Sequence, residues 1–342
     1  TSQPVGITTA LLSVKWDENG HIISIFDREA QRDLVPEGDH ANVITLYEDR
    51  PREYDAWELE YSHQRKGWGI GKPEVTIREN SALRSVVEFA YTFKQSKLVQ
   101  QMILYPHTKR IDFATWVDWN QRELVMKAAF STNLRSSRAR FDIQFGSMER
   151  PTTRNNSWEF ARFESVGHKW ADLSESGYGA ALMSDSKYGY DIHEGLMQLT
   201  LLKGSNKPDQ TADKGIHEFT YSFFPHTGEW YEAGVDQESW EINDAPVVTE
   251  AQESAVQIPF QGDLSGVTVD AFKVAEDGDA YILRFHEKEG RHQKISFSAE
   301  ELSFRYWSEC DLLEHEQGSK NQGKELDFQL RPFELKSIKF VV

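Results

Sequence analysis

The chain has 342 residues, enough for two domains and a substantial core, and carries a net charge of −17. That balance excludes a phosphate-binding surface of clustered Lys and Arg and disfavours an anionic membrane, so neither nucleic acid nor membrane is expected as a partner. The single cysteine, Cys310, excludes an internal disulfide and points to a reducing, cytoplasmic compartment.

In chain order the pattern is strand after strand. LLSVKW and HIISIFD flank DENG (Asp17–Gly20), whose Asn-Gly pair predicts a hairpin turn. VTIRE, SVVEFAYTF, KLVQQMILY, RIDFATWVDW, LVMKAAF and RFDIQF follow, alternating or running in apolar and β-branched residues. From Glu149 to Trp230, Gly, Asp, Ser and Pro alternate with Trp, Tyr, Phe and His, and no helical period runs through them. That texture predicts short strands joined by polar, aromatic-rimmed turns, where a polyol would be held: ring faces stack on C–H surfaces and carboxylates take hydroxyls. EFTYSFF closes this strand-rich region.

The acidic, polar stretch Gly234–Val256 predicts a linker or crossing segment. Beyond it, VTVDAFKVA, AYILRFHE, KISFS, ELDFQL and LKSIKFVV predict a small terminal β-sandwich, with EDGD (Glu276–Asp279) as a hairpin turn and GSKNQGK (Gly318–Lys324) as a flexible loop tip. SAEELSFRYW (Ser298–Trp307) begins like a capped helix but lies among strands. The expectation is an all-β, antiparallel chain: residues 1–235 as a large double-sheet body, 236–256 as a linker and 257–342 as a smaller sandwich.

Three clusters are candidates for a site. In YDAW, Asp55 beside Tyr54 and Trp57 offers a hydroxyl acceptor next to stacking faces; the structural alternative makes Trp57 core and Asp55 a turn cap. In DSKYGYDI, a turn carrying Asp185, Tyr188, Tyr190 and Asp191 would expose two phenols and a carboxylate, unless it is a structural turn set by Gly189. In HKWADLSE, His168, Trp170 and Asp172 suggest a polar network that holds loops or interdomain contacts. No His or Cys spacing matches a tetrahedral metal site, so no metal ligands are assigned.

Several long blocks resemble the C-terminal part of glycoside hydrolase family 38 α-mannosidases, of the bacterial and cytosolic branch. They are GSMERPTTRN (Gly146–Asn155), HKWADLSESGYG (His168–Gly179), LMSDSKYGYDI (Leu182–Ile192), LTLLKG (Leu199–Gly204), PDQTADKGIHEF (Pro208–Phe219) and FPHTGEW (Phe224–Trp230). NVITLYEDRPREYDAWELE (Asn42–Glu60) and DFATWVDWNQRELVMKAAF (Asp112–Phe130) are similar too, and the likeness runs on to RPFELKSIKF. The resemblance implies a mutarotase-like supersandwich followed by a small β-sandwich, within a retaining exo-α-mannosidase that acts on terminal α-mannosides. It implies that the divalent metal, usually zinc, and the carboxylate nucleophile belong to an N-terminal catalytic domain upstream of Thr1. This chain would then hold no catalytic residue, would support that domain as its partner, and would line part of the sugar cleft. The resemblance also implies that the Tyr188 turn faces the catalytic domain and that the protein self-associates. The alternative is a stand-alone carbohydrate-binding or sugar-epimerising protein, with His168 and Glu175, or His226 and Glu229, as acid and base.

Overall fold

The computed structural model describes residues 5–248, 250 and 259–342. Two compact units divide the chain, the first ending at Pro246 and the second running from Val247 to Val342 together with Ile143–Ser147.

Strict alternation builds the first unit. In the strands Ser96–Leu104 and Ile111–Trp119 every second residue is buried, so each strand gives one face to the core. Nine antiparallel strands form one sheet, in the order Gly146–Pro151, Arg138–Ile143, Trp170–Glu175, Tyr178–Ser184, Gly215–Thr227, Ile111–Trp119, Ser96–Leu104, Ser85–Phe93 and Glu74–Asn80. Six form another: Ser165–Val166, Gly189–His193, Leu196–Lys203, Leu124–Ser131, Val43–Glu48 and Gly67–Gly69. A four-stranded sheet (Val5–Thr8, Leu12–Trp16, Ile22–Asp27, Arg32–Asp33) shares their core.

Aromatic rings join the two large sheets. Phe130 of the six-stranded sheet stacks on Phe223 of the nine-stranded sheet at 4.8 Å and meets Phe113 of that same sheet edge to face at 5.7 Å. One polar ring is buried among them. Asn42 donates to Gln100 (2.7 Å), Gln100 donates to the Tyr221 hydroxyl (2.8 Å), and Tyr221 donates back to Asn42 (2.6 Å). Each of these groups has a partner, so the network fixes the sheet pairing without leaving an unpaired polar group.

The predicted hairpins form. Asp17–Gly20 joins Leu12–Trp16 to Ile22–Asp27, with Gly20 at φ 78°, and Glu276–Asp279 joins Val267–Val274 to Ala280–Glu287. Two expectations need correction. Residues 236–243 of the expected linker belong to a helix, α2 (Val235–Asn243), packed against the strands Trp170–Glu175 and Tyr178–Ser184. Only Val235 and Ser239 of α2 are buried, so no amphipathic stripe marked it in the sequence. Ion pairs hold it: the Arg110 guanidinium reaches Glu238 at 2.7 Å and Glu241 at 3.0 Å. Residues 249 and 251–256 of the same segment lie outside the described residues. Second, part of the expected loop tip, Gly318–Asn321, belongs to an edge strand, Glu316–Asn321, paired with Tyr306–Cys310. It buries no side chain, so backbone pairing alone makes it a strand, and no hydrophobic alternation announced it.

The second unit has a three-stranded sheet (Gln261–Asp263, Gln293–Ser298, Glu325–Leu330) and a five-stranded sheet (Val267–Val274, Ala280–Glu287, Leu335–Val341, Tyr306–Cys310, Glu316–Asn321). Their shared core includes Phe285, Phe297, Phe328 and Phe340. Cys310 is buried, and burial pushes its thiol up to about 11, which makes it a packing residue rather than a nucleophile. Among the described residues no helix is long and apolar enough to cross a membrane.

Candidate functional site

The outer face of the six-stranded sheet is unusually polar. Met126, Ala128 and Phe130 turn inward with Met197, Leu199 and Leu201, so Lys127, Gln198, Thr200 and Asp191 fall on the other face. Lys127 and Thr200 are cross-strand partners, as are Asp191 and Gln198.

Glu164 lies over this face and binds both the Lys127 ammonium and the Thr200 hydroxyl. Gly189 makes the space: a Cβ there would come within 2.8 Å of a Glu164 carboxylate oxygen. Burial by itself would raise the Glu164 carboxyl, but the Lys127 charge and the two hydrogen bonds hold it below the usual carboxylate range. Lys127 is fully buried, so the pair is mutually obligatory.

Two loops cover the rest of the face. From the 49–66 loop, Gln64 donates to Asp191 (2.9 Å) and Gln198 (3.0 Å), and the His63 ring packs on Phe163 at 5.3 Å. His63 Nδ1 donates to the Glu60 carbonyl (3.1 Å), while its buried Nε2 has no hydrogen-bond partner. Burial, reinforced by Lys127, lowers the His63 pKa and keeps the ring neutral. The second loop holds a one-turn helix, α1 (Ser157–Phe160), N-capped by Asn156. Both loops carry exposed aromatics: Tyr54, Trp57 and Tyr61 on one, Trp158 (85% exposed) and Phe160 on the other.

The nominated residues separate into different roles. Tyr54 and Trp57 are exposed and stack on each other at 5.1 Å. Asp55 between them is buried, and its two oxygens accept the backbone N–H groups of Asn206 (2.8 Å) and Lys207 (2.7 Å). It therefore clamps a turn, and its lone pairs are occupied. Asp185 likewise accepts the Thr220 N–H at 2.7 Å, whereas Tyr188 is exposed, with its ring against His168. Tyr190 does not lie on a turn that exposes two phenols. It sits in the strand Gly189–His193, fully buried and facing the core, because one residue of register sends it to the opposite face from Asp191. Asp191 accepts from Gln64 and, at 3.3 Å, from Arg154.

Trp170 and Asp172 lie on the outer face of the nine-stranded sheet. Trp170 packs on Trp230 at 5.0 Å beneath α2, and Asp172 accepts from Ser174 (2.6 Å) and meets His226 Nε2 at 2.8 Å. His226 is thus committed to Asp172, and Glu175 to Arg32 at 2.7 Å, so neither acid–base pair of the epimerase alternative forms.

Sequence reasoning missed Lys127, Glu164, Thr200 and His63. One signal was legible: a lone lysine inside the apolar run LVMKAAF is costly unless it has a buried partner.

Several depressions among the described residues border these features, one of them an open hollow of about 390 Å³ lined by Ser157, Trp158, Ala161, Arg162 and Glu164. A recess lined by Arg154, Glu164, Tyr190 and Asp191 has room for little more than a water molecule, too small for a hexose. A groove of about 700 Å³ runs along Pro36, Thr132–Ser137, Thr152, Thr153 and Glu194–Gly195, but no aromatic ring lines it for stacking. One group among the described residues brings three metal-ligating side chains together, Asp17, His21 and His40. Its only carboxylate is itself a ligand, and the adjacent Glu18 is paired with Lys72 at 2.9 Å, so it does not fit a metal-assisted glycosidase centre.

Residues 7–211 match the family described as Glycosyl hydrolases family 38 C-terminal domain, and residues 266–338 match the Glycosyl hydrolases family 38 C-terminal beta sandwich domain. The chain is 35% identical to Alpha-mannosidase G of Dictyostelium discoideum over 98% of its own length and 32% of that protein. It is 31% identical to human Alpha-mannosidase 2C1 over its whole length and 34% of that protein. Among solved structures, an α-mannosidase from Enterococcus faecalis V583 superimposes with a TM-score of 0.81 at 13% identity, over 99% of this chain and 42% of that one, which shows a shared fold. The chain spans about a third of the length of the curated relatives it matches. These matches cover both units, and the chain belongs to glycoside hydrolase family 38, carrying its C-terminal β domains.

Proposed function

We propose that this chain is the non-catalytic C-terminal portion of a retaining, metal-dependent exo-α-mannosidase that hydrolyses terminal α-mannosides in the cytoplasm. The observation that carries the reading is the match of both units to family 38 C-terminal domains, with 35% identity to an α-mannosidase across 98% of the chain. The nucleophile and the metal, expected to be zinc, then belong to the catalytic domain that partners this chain. When bound, that ion supplies charge stabilisation to the sugar oxygens.

The chain's own residues supply surface and support. Tyr54 and Trp57 present a stacked, exposed aromatic pair, and Tyr188 a third exposed ring, as stacking faces for sugar C–H groups at the edge of the cleft. Asp55 fixes the first of these loops by clamping the 205–207 turn. Lys127, Glu164 and Gln64 hold the sheet face beneath it. Asp191 receives Gln64 there, and the face is a platform rather than a reaction centre.

The test uses the full-length protein that contains this chain. It should release mannose from an aryl α-mannoside, with the α-anomer formed first by NMR. Trp57→Ala should raise KM several-fold with an unchanged melting temperature. A full-length protein inactive on α-mannosides but active on another glycoside would overturn the substrate assignment, and a β-anomer formed first would overturn retention.

A further inference from the structure

The first hairpin turn of the chain brings Asp17 and His21 together with His40. Asp17 opens the Asp17–Gly20 turn and His21, four residues on, directly follows it. The turn is closed by its own backbone, with Asp17 N–H donating to the His21 carbonyl (2.9 Å) and Gly20 N–H to the Asp17 carbonyl (3.1 Å). One carboxylate oxygen of Asp17, Oδ1, accepts the N–H groups of Asn19 (2.9 Å) and His21 (2.8 Å). That fixes the carboxylate plane; Oδ2 accepts the Asn19 side-chain amide (3.2 Å) and also faces two imidazoles. It lies 3.7 Å from His21 Nδ1 and 3.8 Å from His40 Nε2.

His40 reaches this point through the fold. An antiparallel bridge of reciprocal backbone hydrogen bonds pairs Ile22 with Ala41 (3.0 and 2.8 Å), which puts the residues just before each, His21 and His40, in diagonal positions across it on one face. Their rings meet edge to face at 5.5 Å. The three ligand atoms all lie within 4.8 Å of one another, and all three residues are partly exposed, so an ion has a path in.

The geometry points to a structural zinc site formed by Asp17 Oδ2, His21 Nδ1 and His40 Nε2, with solvent completing the coordination. Ligand atoms around tetrahedral zinc sit about 3.3 Å apart, given bonds of about 2.0–2.1 Å, so an inward movement of roughly half an ångström to an ångström and a half closes the site. The ion would tie the first hairpin to the segment that leads into the six-stranded sheet.

The second unit contains a natural control. Asp311 and His315 repeat the same turn: Asp311 Oδ1 accepts the N–H groups of Leu313 (2.9 Å) and His315 (3.0 Å), and Asp311 N–H donates to the His315 carbonyl (3.1 Å). His315 Nδ1 lies 3.2 Å from Asp311, but no second histidine joins the pair. Two ligands on an exposed turn should hold zinc far more weakly than three.

The experiment titrates zinc chloride into the metal-stripped 342-residue chain against a chromophoric zinc chelator, and repeats it on His21→Gln, His40→Gln and His315→Gln. The expected result is one zinc ion per chain, at least tenfold weaker binding in each of the first two variants, and no change in the third. Cobalt substitution should give visible absorption bands that both site variants lose. Thermal melts without metal establish that each variant is folded, and zinc should raise the melting temperature of the parent chain only when His21 and His40 are both present. Absence of zinc uptake, or uptake unaltered in both the His21 and His40 variants, would overturn the assignment.

Discussion

The two large sheets each carry a buried acid–base pair on their outer face, and they cover it differently. On the nine-stranded sheet, Asp172 and His226 lie with Trp170 and Trp230 on the face where α2 packs, and Arg110 locks α2 in place through Glu238 and Glu241. On the six-stranded sheet, Glu164 and Lys127 lie beneath two loops that raise Tyr54, Trp57, Tyr61 and Trp158 into solvent. Helix α2 caps its face largely through charge, with only Val235 and Ser239 buried, whereas a loop covers while leaving its tips exposed. Under the proposed function, the first face serves stability alone and the second stability beneath a sugar-facing surface.

Mutations can break that distinction. Trp170→Ala should have the largest effect, removing a fully buried indole at a cost of about 4 kcal/mol, read from urea unfolding of the 342-residue chain. Full-length protein carrying a milder change, Trp170→Phe, should keep the parent kcat and KM; a changed KM would give the sealed face a part in binding. Lys127→Met should cost about 3 kcal/mol because it strands the Glu164 carboxylate. The double variant Lys127→Met/Glu164→Gln should recover part of that loss, and a double no better than the single would mean that the pair is not coupled.

Within the 49–66 loop the same contrast holds on a smaller scale. Asp55→Ala should cost about 2 kcal/mol by leaving two backbone N–H groups without their charged acceptor. The pH dependence sharpens the picture of the covered face. His63 is held neutral in the folded chain, with its pKa below the unfolded value of about 6.5. The unfolded chain thus binds a proton that the native chain refuses, and stability falls as pH drops from about 7 through the folded pKa. His63→Phe should flatten the fall in melting temperature over that window; an unchanged slope would remove His63 as its source. Smallest in stability, Trp57→Ala should stay within about 0.5 kcal/mol of the parent, since its ring is exposed, and should act on KM instead.

The fold was legible because its strands alternate cleanly: KLVQQMILY and RIDFATWVDW each declare one buried face. Elements without a hydrophobic signal were not legible. Helix α2 is held by charge, and Glu316–Asn321 by backbone pairing at an edge. The site was half legible. The exposure of Tyr54, Trp57 and Tyr188 agrees with the aromatic-rim texture of their loops, but a sequence does not show where a carboxylate's lone pairs are spent, and Asp55 and Asp185 spend theirs on backbone N–H groups. Tyr190 was misplaced by a single step of strand register. Glu164 and Lys127 are joined across 37 residues of chain, and His21 and His40 by a bridge between loops, links that periodicity does not carry.

The most direct test of the central claim is hydrolysis of an aryl α-mannoside by the purified 342-residue chain, with and without added zinc. The account predicts no turnover above buffer in either condition, while the full-length protein turns over the same substrate. Turnover that follows the isolated chain through purification would mean that a complete reaction centre lies within these residues, and would contradict the assignment of this chain as a non-catalytic platform.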